Sequence, residues 1–184
     1  MRTIYNREQI INILYGATFF AAGGGGSIAS GLELLNRLDG ELQLKVDSID
    51  EMADDGYSIM SAGLGSPLAL KERGFGPEAI SVADGMIRAA KEEGKRVDYM
   101  YSGEQGAFST MVPIYVALKK DMPILDLDSN GRAVPELNTG LLPINNIPID
   151  PLVVANAKGD IVIGHSIYPS VCSLFHRCYT SASC

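Results

Sequence analysis

The sequence predicts an α/β fold: a largely parallel sheet with helices on its faces, followed by the start of a β-rich second domain that is cut short. Three observations carry this. Short apolar runs alternate with longer helical patterns between residues 42 and 128, the signature of βαβ units with right-handed crossovers. Three of those runs end in small or polar turns, Gly63-Leu64-Gly65-Ser66-Pro67, Ser102-Gly103-Glu104-Gln105-Gly106 and Asp126–Arg132. Beyond Pro135 the pattern changes to short apolar pieces punctuated by Pro143, Pro148 and Pro151. The expected organisation is an α/β domain over 1–140, a β-rich segment over 141–164 and an irregular tail over 165–184.

Each element has a local reason. Asn6 can cap a helix over about 7–21, with Ile10, Ile11, Leu14 and Phe19 on the buried side. After Gly23–Gly26 and Ser27, a second helical pattern runs from Ile28 to Leu38. Leu42–Val46 alternates as a strand, and Asp50–Ala53 reads as a short helix. Tyr57–Ala62 is a second strand. Pro77–Glu93 has helical spacing through Ile80, Ala83, Met86 and Ile87, and Gly94 stops it. Val97–Tyr101, Phe108–Lys119 and Pro123–Asp128 give strand, helix and strand. Leu152–Ala155 and Asp160–Gly164, joined around Lys158-Gly159, read as a hairpin.

With 184 residues, 46% apolar content and 20 glycines, the chain is long enough for a substantial core. The formal charge of −7, with no Lys/Arg cluster, argues against nucleic acid as a partner. The apolar run Ile10–Ala22 is shorter than a bilayer needs, so no membrane association is expected. All three cysteines (Cys172, Cys178, Cys184) lie in the tail, which fits a reducing, cytoplasmic compartment and no disulfide framework. With His176 they make four possible zinc ligands, but the usual paired spacing is missing and an irregular end is the simpler reading. His165 and His176 are the only histidines, and both are read as surface or packing residues.

Chemistry concentrates in Pro123–Asn138. Asp126 and Asp128 stand two apart on a strand, which places them on one face, and Arg132 follows the Ser129-Asn130-Gly131 break. A calcium loop of the EF-hand type is a competing reading, but position 12 falls on Leu137 and a strand precedes the loop. Another is a structural turn in which Asp128 caps backbone N–H groups and pairs with Arg132. The four glycines before Ser27 are either a flexible turn or a loop aiming N–H groups at an anion, without the dinucleotide or Walker spacing. In open parallel sheets, sites gather beyond the carboxyl ends of the strands, where these turns converge.

The Gly23–Ser27 run, Gly63-Leu64-Gly65-Ser66-Pro67, the Glu104/Gly106 turn and above all Asp126-x-Asp128-x-x-Gly131-Arg132-Ala133-x-Pro135-Glu136-Leu137 resemble the S-methyl-thiohydantoin desulfurase family, often described as hydantoinase/oxoprolinase-like. The likeness covers about residues 7–164. It implies an α/β amino-terminal domain, a β-rich carboxyl-terminal domain, and hydrolytic chemistry on a five-membered cyclic amide or thioamide. Members are longer, so the tail after Gly164 reads as a truncated or frame-shifted end. Ser27-Ile28 stands where the family usually has Asp-Pro, which puts activity in question.

The resulting expectation is a hydrolase of a hydantoin-like or thiohydantoin-like ring. Asp126, Asp128 or Glu104 would be the base and Arg132 a charged clamp. Gly24, Gly25, Gly26, Ser27, Gly63, Gly65, Ser66 and Glu136 would contact the ligand. Alternatively Asp126 and Asp128 hold a divalent metal that activates the water. The rival reading is a non-catalytic small-anion-binding or regulatory domain. A small-molecule substrate and a homo-oligomer are the expected partners.

Overall fold

The structure, a computed structural model, describes residues 2–63, 75–135, 139–156, 158 and 160–165. Its elements are β1 (Thr3–Tyr5), α1 (Arg7–Ala21), α2 (Ile28–Leu35), β2 (Leu44–Asp47), a 3-10 turn (Ile49–Glu51) and β3 (Tyr57–Ser61). They continue with α3 (Pro77–Glu92), β4 (Val97–Ser102), α4 (Ala107–Lys120), β5 (Ile124–Asp128), α5 (Leu141–Ile144), β6 (Leu152–Ala155) and β7 (Ile161–Gly164). The main sheet has the order β1-β2-β5-β4-β3, parallel except where β1 runs against β2. The mostly parallel α/β architecture is therefore as the alternation of patterns requires.

Capping fixes the first two helices. Asn6 and Gln9 form a reciprocal capping box at the start of α1, and Ser27 caps α2 by accepting from the Ser30 amide. The second helix stops at Leu35, short of Leu38. Arg7 of α1 donates to the carbonyls of Leu35 and Leu38, which supplies partners that the end of a helix lacks.

The fold is organised around α4. Residues Ala107 to Ala117 are all buried, so this stretch of the helix, apolar but for Ser109, Thr110 and the Tyr115 hydroxyl, has no exposed face. A helix that is apolar all round must be covered all round. The sheet lies on one side, through Leu44, Ile59, Met100 and Ile124. Helices α1 and α2 lie on the other, through Ile10, Leu14, Leu34 and Leu35. The β6–β7 hairpin packs on α3, where Gly85 leaves room: a Cβ there would sit 2.8 Å from Val153. Among the described residues no helix is long and apolar enough to cross a membrane.

Candidate functional site

Alternate residues of a strand face opposite ways, and this divides the carboxyl rim of the sheet in two. On the helix side, Ile59 and Ser61 of β3 and Met100 and Ser102 of β4 point into the core. On the other side Met60 faces a cleft.

The helix side is where the glycines meet. Gly25 has φ +65°, and its carbonyl accepts from the amides of Phe108 (3.2 Å) and Ser109 (3.0 Å), the first turn of α4. That carbonyl fills the position an anion would take at a helix N-terminus. The loop is also closely packed. A Cβ on Gly25 would lie 2.6 Å from the Gly106 Cα, one on Gly26 2.5 Å from Phe108, and one on Gly63 2.5 Å from the same ring. A Cβ on Gly24 would lie 2.5 Å from Ala133. Gly24, Gly25, Gly26 and Gly63 thus converge, but against α4 and Ala133, and the Gly25 carbonyl is a hydrogen-bond acceptor turned inward. Ser27 is spent on its cap. Gly65, Ser66 and Glu136 lie outside the described residues, as do Cys172, His176, Cys178 and Cys184.

Glu104 joins the two sides. Its Oε1 accepts from the Ser109 hydroxyl at 2.6 Å, and its Oε2 from the Val134 amide at 2.7 Å. A carboxylate is well placed at the start of α4, where the helix dipole favours negative charge. Further bonds zip the 102–106 turn to the 128–134 segment. The Gln105 amide donates to the Arg132 carbonyl, and the Gln105 side chain to Asp128 Oδ2 at 2.8 Å. Ser129 (2.8 Å) and Asn130 (2.5 Å) both donate to the Gly103 carbonyl.

The two aspartates separate. Asp128 Oδ1 accepts from the amides of Asn130 (2.8 Å) and Gly131, so it closes the turn. Asp126 is exposed and makes no hydrogen bond or ion pair among the described residues. Strand β5 is also irregular: Ile124 pairs with Met100 and Asp128 with Ser102, so β5 carries two extra residues between these points. The two carboxylates, expected on one face, differ in exposure and share no hydrogen-bond partner. Arg132 is exposed and has no ion-pair partner among the described residues, so the expected Asp128–Arg132 pair gives way to Asp128–Gln105. The loop is entered from a strand, which disposes of the calcium-loop alternative. Among the described residues no three His, Cys, Asp or Glu side chains are grouped to hold a metal. His165 lies 3.6 Å from Asp150 and is largely exposed.

The cleft itself is partly open to solvent. Met60 and Ala62 line it from β3, Gly103 and Glu104 from the turn after β4, and Ser129 and Asn130 from the turn after β5. Val134, Leu142, Pro143 and Ile149 form an apolar wall opposite. Asn130 fixes that wall, since its Oδ1 accepts from the Leu141 amide at 2.9 Å. Sequence reasoning singled out Glu104 but missed Ser129, Asn130 and the 141–149 wall. The turn Ser129-Asn130-Gly131 was visible as a chain break, without a sign that its side chains reach Gly103 and Leu141.

A family model described as "S-Me-THD-like, N-terminal domain" matches residues 8–166. The chain is also similar to a protein from Chromobacterium violaceum solved by X-ray crystallography, with 27% identity and a TM-score of 0.81. That likeness covers 89% of this chain and 45% of the other, so the chain spans less than half the length of that protein. No curated protein matches the chain.

Proposed function

The chain belongs to the S-Me-THD-like family through its N-terminal domain, and on that premise we propose that it contributes the active-site half of a hydrolase for a thiohydantoin-like or hydantoin-like ring. The single observation that carries this reading is Glu104. It is a carboxylate in the wall of an otherwise largely apolar cleft, at the carboxyl ends of three parallel strands. A flat five-membered ring suits a cleft whose apolar lining includes Met60, Leu142 and Pro143.

In this reading water adds to the ring carbon that bears the methylthio group, and Glu104 takes the proton from that water. The tetrahedral intermediate collapses with cleavage of the carbon–sulfur bond. The methanethiolate takes the proton back from Glu104 and leaves as methanethiol, while the hydroxyl proton passes to the ring nitrogen as the ring carbonyl forms. Asn130 Nδ2 and the Ser129 hydroxyl, now given to the Gly103 carbonyl, are the nearest donors for the transient anion. Ser109 and the Val134 amide orient the base without entering the chemistry.

The test is methanethiol release from S-methyl-thiohydantoin, and ring opening of hydantoin, by this chain and by the Chromobacterium violaceum protein. Turnover that falls by about two orders of magnitude or more in Glu104→Gln, with the fold intact, is expected for a general base. No turnover in either protein overturns the hydrolase reading. Turnover indifferent to Glu104→Gln removes Glu104 from the chemistry, and loss on adding EDTA moves water activation to a metal.

A further inference from the structure

From residue 9 to residue 32 the chain carries no Asp, Glu, Lys or Arg, although a fifth of all residues are charged. This stretch covers most of α1, the glycine loop and the start of α2. Its surface is aromatic. Phe19 is 82% exposed, Phe20 62% and Tyr15 58%, and the Phe19 and Phe20 rings stand edge to face with centroids 5.8 Å apart. Phe19, expected on the buried side, instead points directly away from the core side of α1 marked by Ile10, Leu14, Ala17 and Ala21, because its spacing from those four residues puts it on the opposite face of the helix. Aromatic enrichment with charge depletion is the composition of an interface core rather than of ordinary surface.

Gly16 adds a second, independent sign. It sits in the middle of α1, where glycine weakens a helix by roughly 1 kcal/mol relative to alanine. Nothing among the described residues requires it, since a Cβ built there meets no atom within 4 Å. Close approach by another chain would require it. Gly16 is a hole and Phe19 a knob on the same outward face, three residues apart.

We propose that α1 is the contact between two copies of this chain, packed antiparallel about a two-fold axis, with Phe19 of each copy seated over Gly16 of the other. A knob and a hole one turn apart on a single helix are self-complementary in that arrangement alone, which is what an isologous interface demands. Charge points the same way. Copies of a chain with net charge −7 repel over most of their surface, and this patch is where they meet without opposing carboxylates. An anionic membrane fits poorly, because interfacial helices carry Lys or Arg on their flanks and this stretch has none. The three rings expose on the order of 400 Å², about half of the ~800 Å² a standard interface buries per partner, so the glycine loop and α2 start complete the contact.

The experiment is sedimentation or light scattering of the full chain across the micromolar range up to several hundred micromolar. The mass is expected to rise from 19.7 kDa toward twice that value. Phe19→Glu and Gly16→Leu should each weaken association about tenfold or more with unchanged circular dichroism, whereas Tyr57→Glu, at another exposed aromatic, should leave it unchanged. The Gly16 variant is the sharper one, because a leucine there should strengthen the isolated helix. A monomer at every concentration overturns the proposal, as does a dimer indifferent to both α1 variants. Binding of the monomer to vesicles that Phe19→Glu abolishes would overturn it in favour of a membrane.

Discussion

The Ser109 hydroxyl donates to Glu104 Oε1 across 2.6 Å, and through that bond the first turn of the buried helix α4 is tied to the wall of the cleft. The other oxygen of the same carboxylate holds the Val134 amide. Glu104 is therefore both a structural joint and the proposed base, and substitutions can separate the two roles. Glu104→Ala strands the hydroxyl and the amide and is expected to cost about 2–4 kcal/mol, read as a shifted urea midpoint. Glu104→Gln keeps an acceptor for Val134 and a polar partner for Ser109, and should cost about 1 kcal/mol or less. A glutamine variant as unstable as the alanine one would show that charge, not hydrogen bonding, holds the joint.

Two glycines with similar positive φ make a controlled comparison. Gly25 (φ +65°) would bring a Cβ within 2.6 Å of the Gly106 backbone, whereas Gly40 (φ +75°) has open space. Gly40→Ala should cost only the left-handed conformation, about 1 kcal/mol. Gly25→Ala adds an overlap with main chain that cannot rotate away, and about 2–4 kcal/mol in total is expected. Equal midpoints for the two variants would mean that the Gly25–Gly106 contact opens at little cost.

Periodicity exposed the α/β order and most elements because those signals are local. The apolar spacing of α1, the Asn6 cap and the Gly94 stop each sit within a few residues of what they determine. The missed elements lack such signals. β1 has three residues, none buried, and owes its place to Arg2 reaching Asp47. The four-residue α5 is too short to show a period. At the site, the convergence of strand ends was legible, but the purpose of the glycines was not. Gly25, Gly26 and Gly63 answer to Gly106 and Phe108, contacts that exist only once the chain is folded. The same holds for the irregular register of β5 between Ile124 and Asp128.

Arg2 donates to both oxygens of Asp47, at 2.8 and 2.7 Å, and pins β1 to the edge of the sheet. The hydrogen bonds from Arg2, and then its charge, hold the Asp47 carboxyl below its ordinary value of 3.8 against the opposing effect of burial. A carboxyl whose folded value is depressed adds stability above its unfolded value and loses it as pH falls through the folded one. The stability difference between the native chain and Arg2→Ala should therefore be full at pH 5–7, shrink below about 3.8 and vanish further into acid. Denaturation midpoints across that range measure it. A difference that grew on acidification would contradict the pairing.

Asp126 and Asp128 are the residues on which sequence and structure part most clearly, so they give the most direct check on the geometry of this rim. Asp128 accepts two backbone amides and the Gln105 side chain, and it closes the turn that presents Ser129 and Asn130 to Gly103. Removing it in Asp128→Ala unfastens donors on both the 128–131 turn and the 102–106 turn, for an expected loss of about 2–3 kcal/mol. Because Asn130 also anchors the Leu141 amide, the apolar wall should loosen at the same time. Faster amide exchange at Leu141 would report that. Asp126, exposed and without a partner among the described residues, should tolerate alanine within about 0.5 kcal/mol. If both aspartates instead shared a face and a function, as regular strand alternation implies, the two variants would lose activity together. Loss in Asp126→Ala at unchanged stability would mean that β5 is regular in solution and that the base lies on this strand rather than at Glu104.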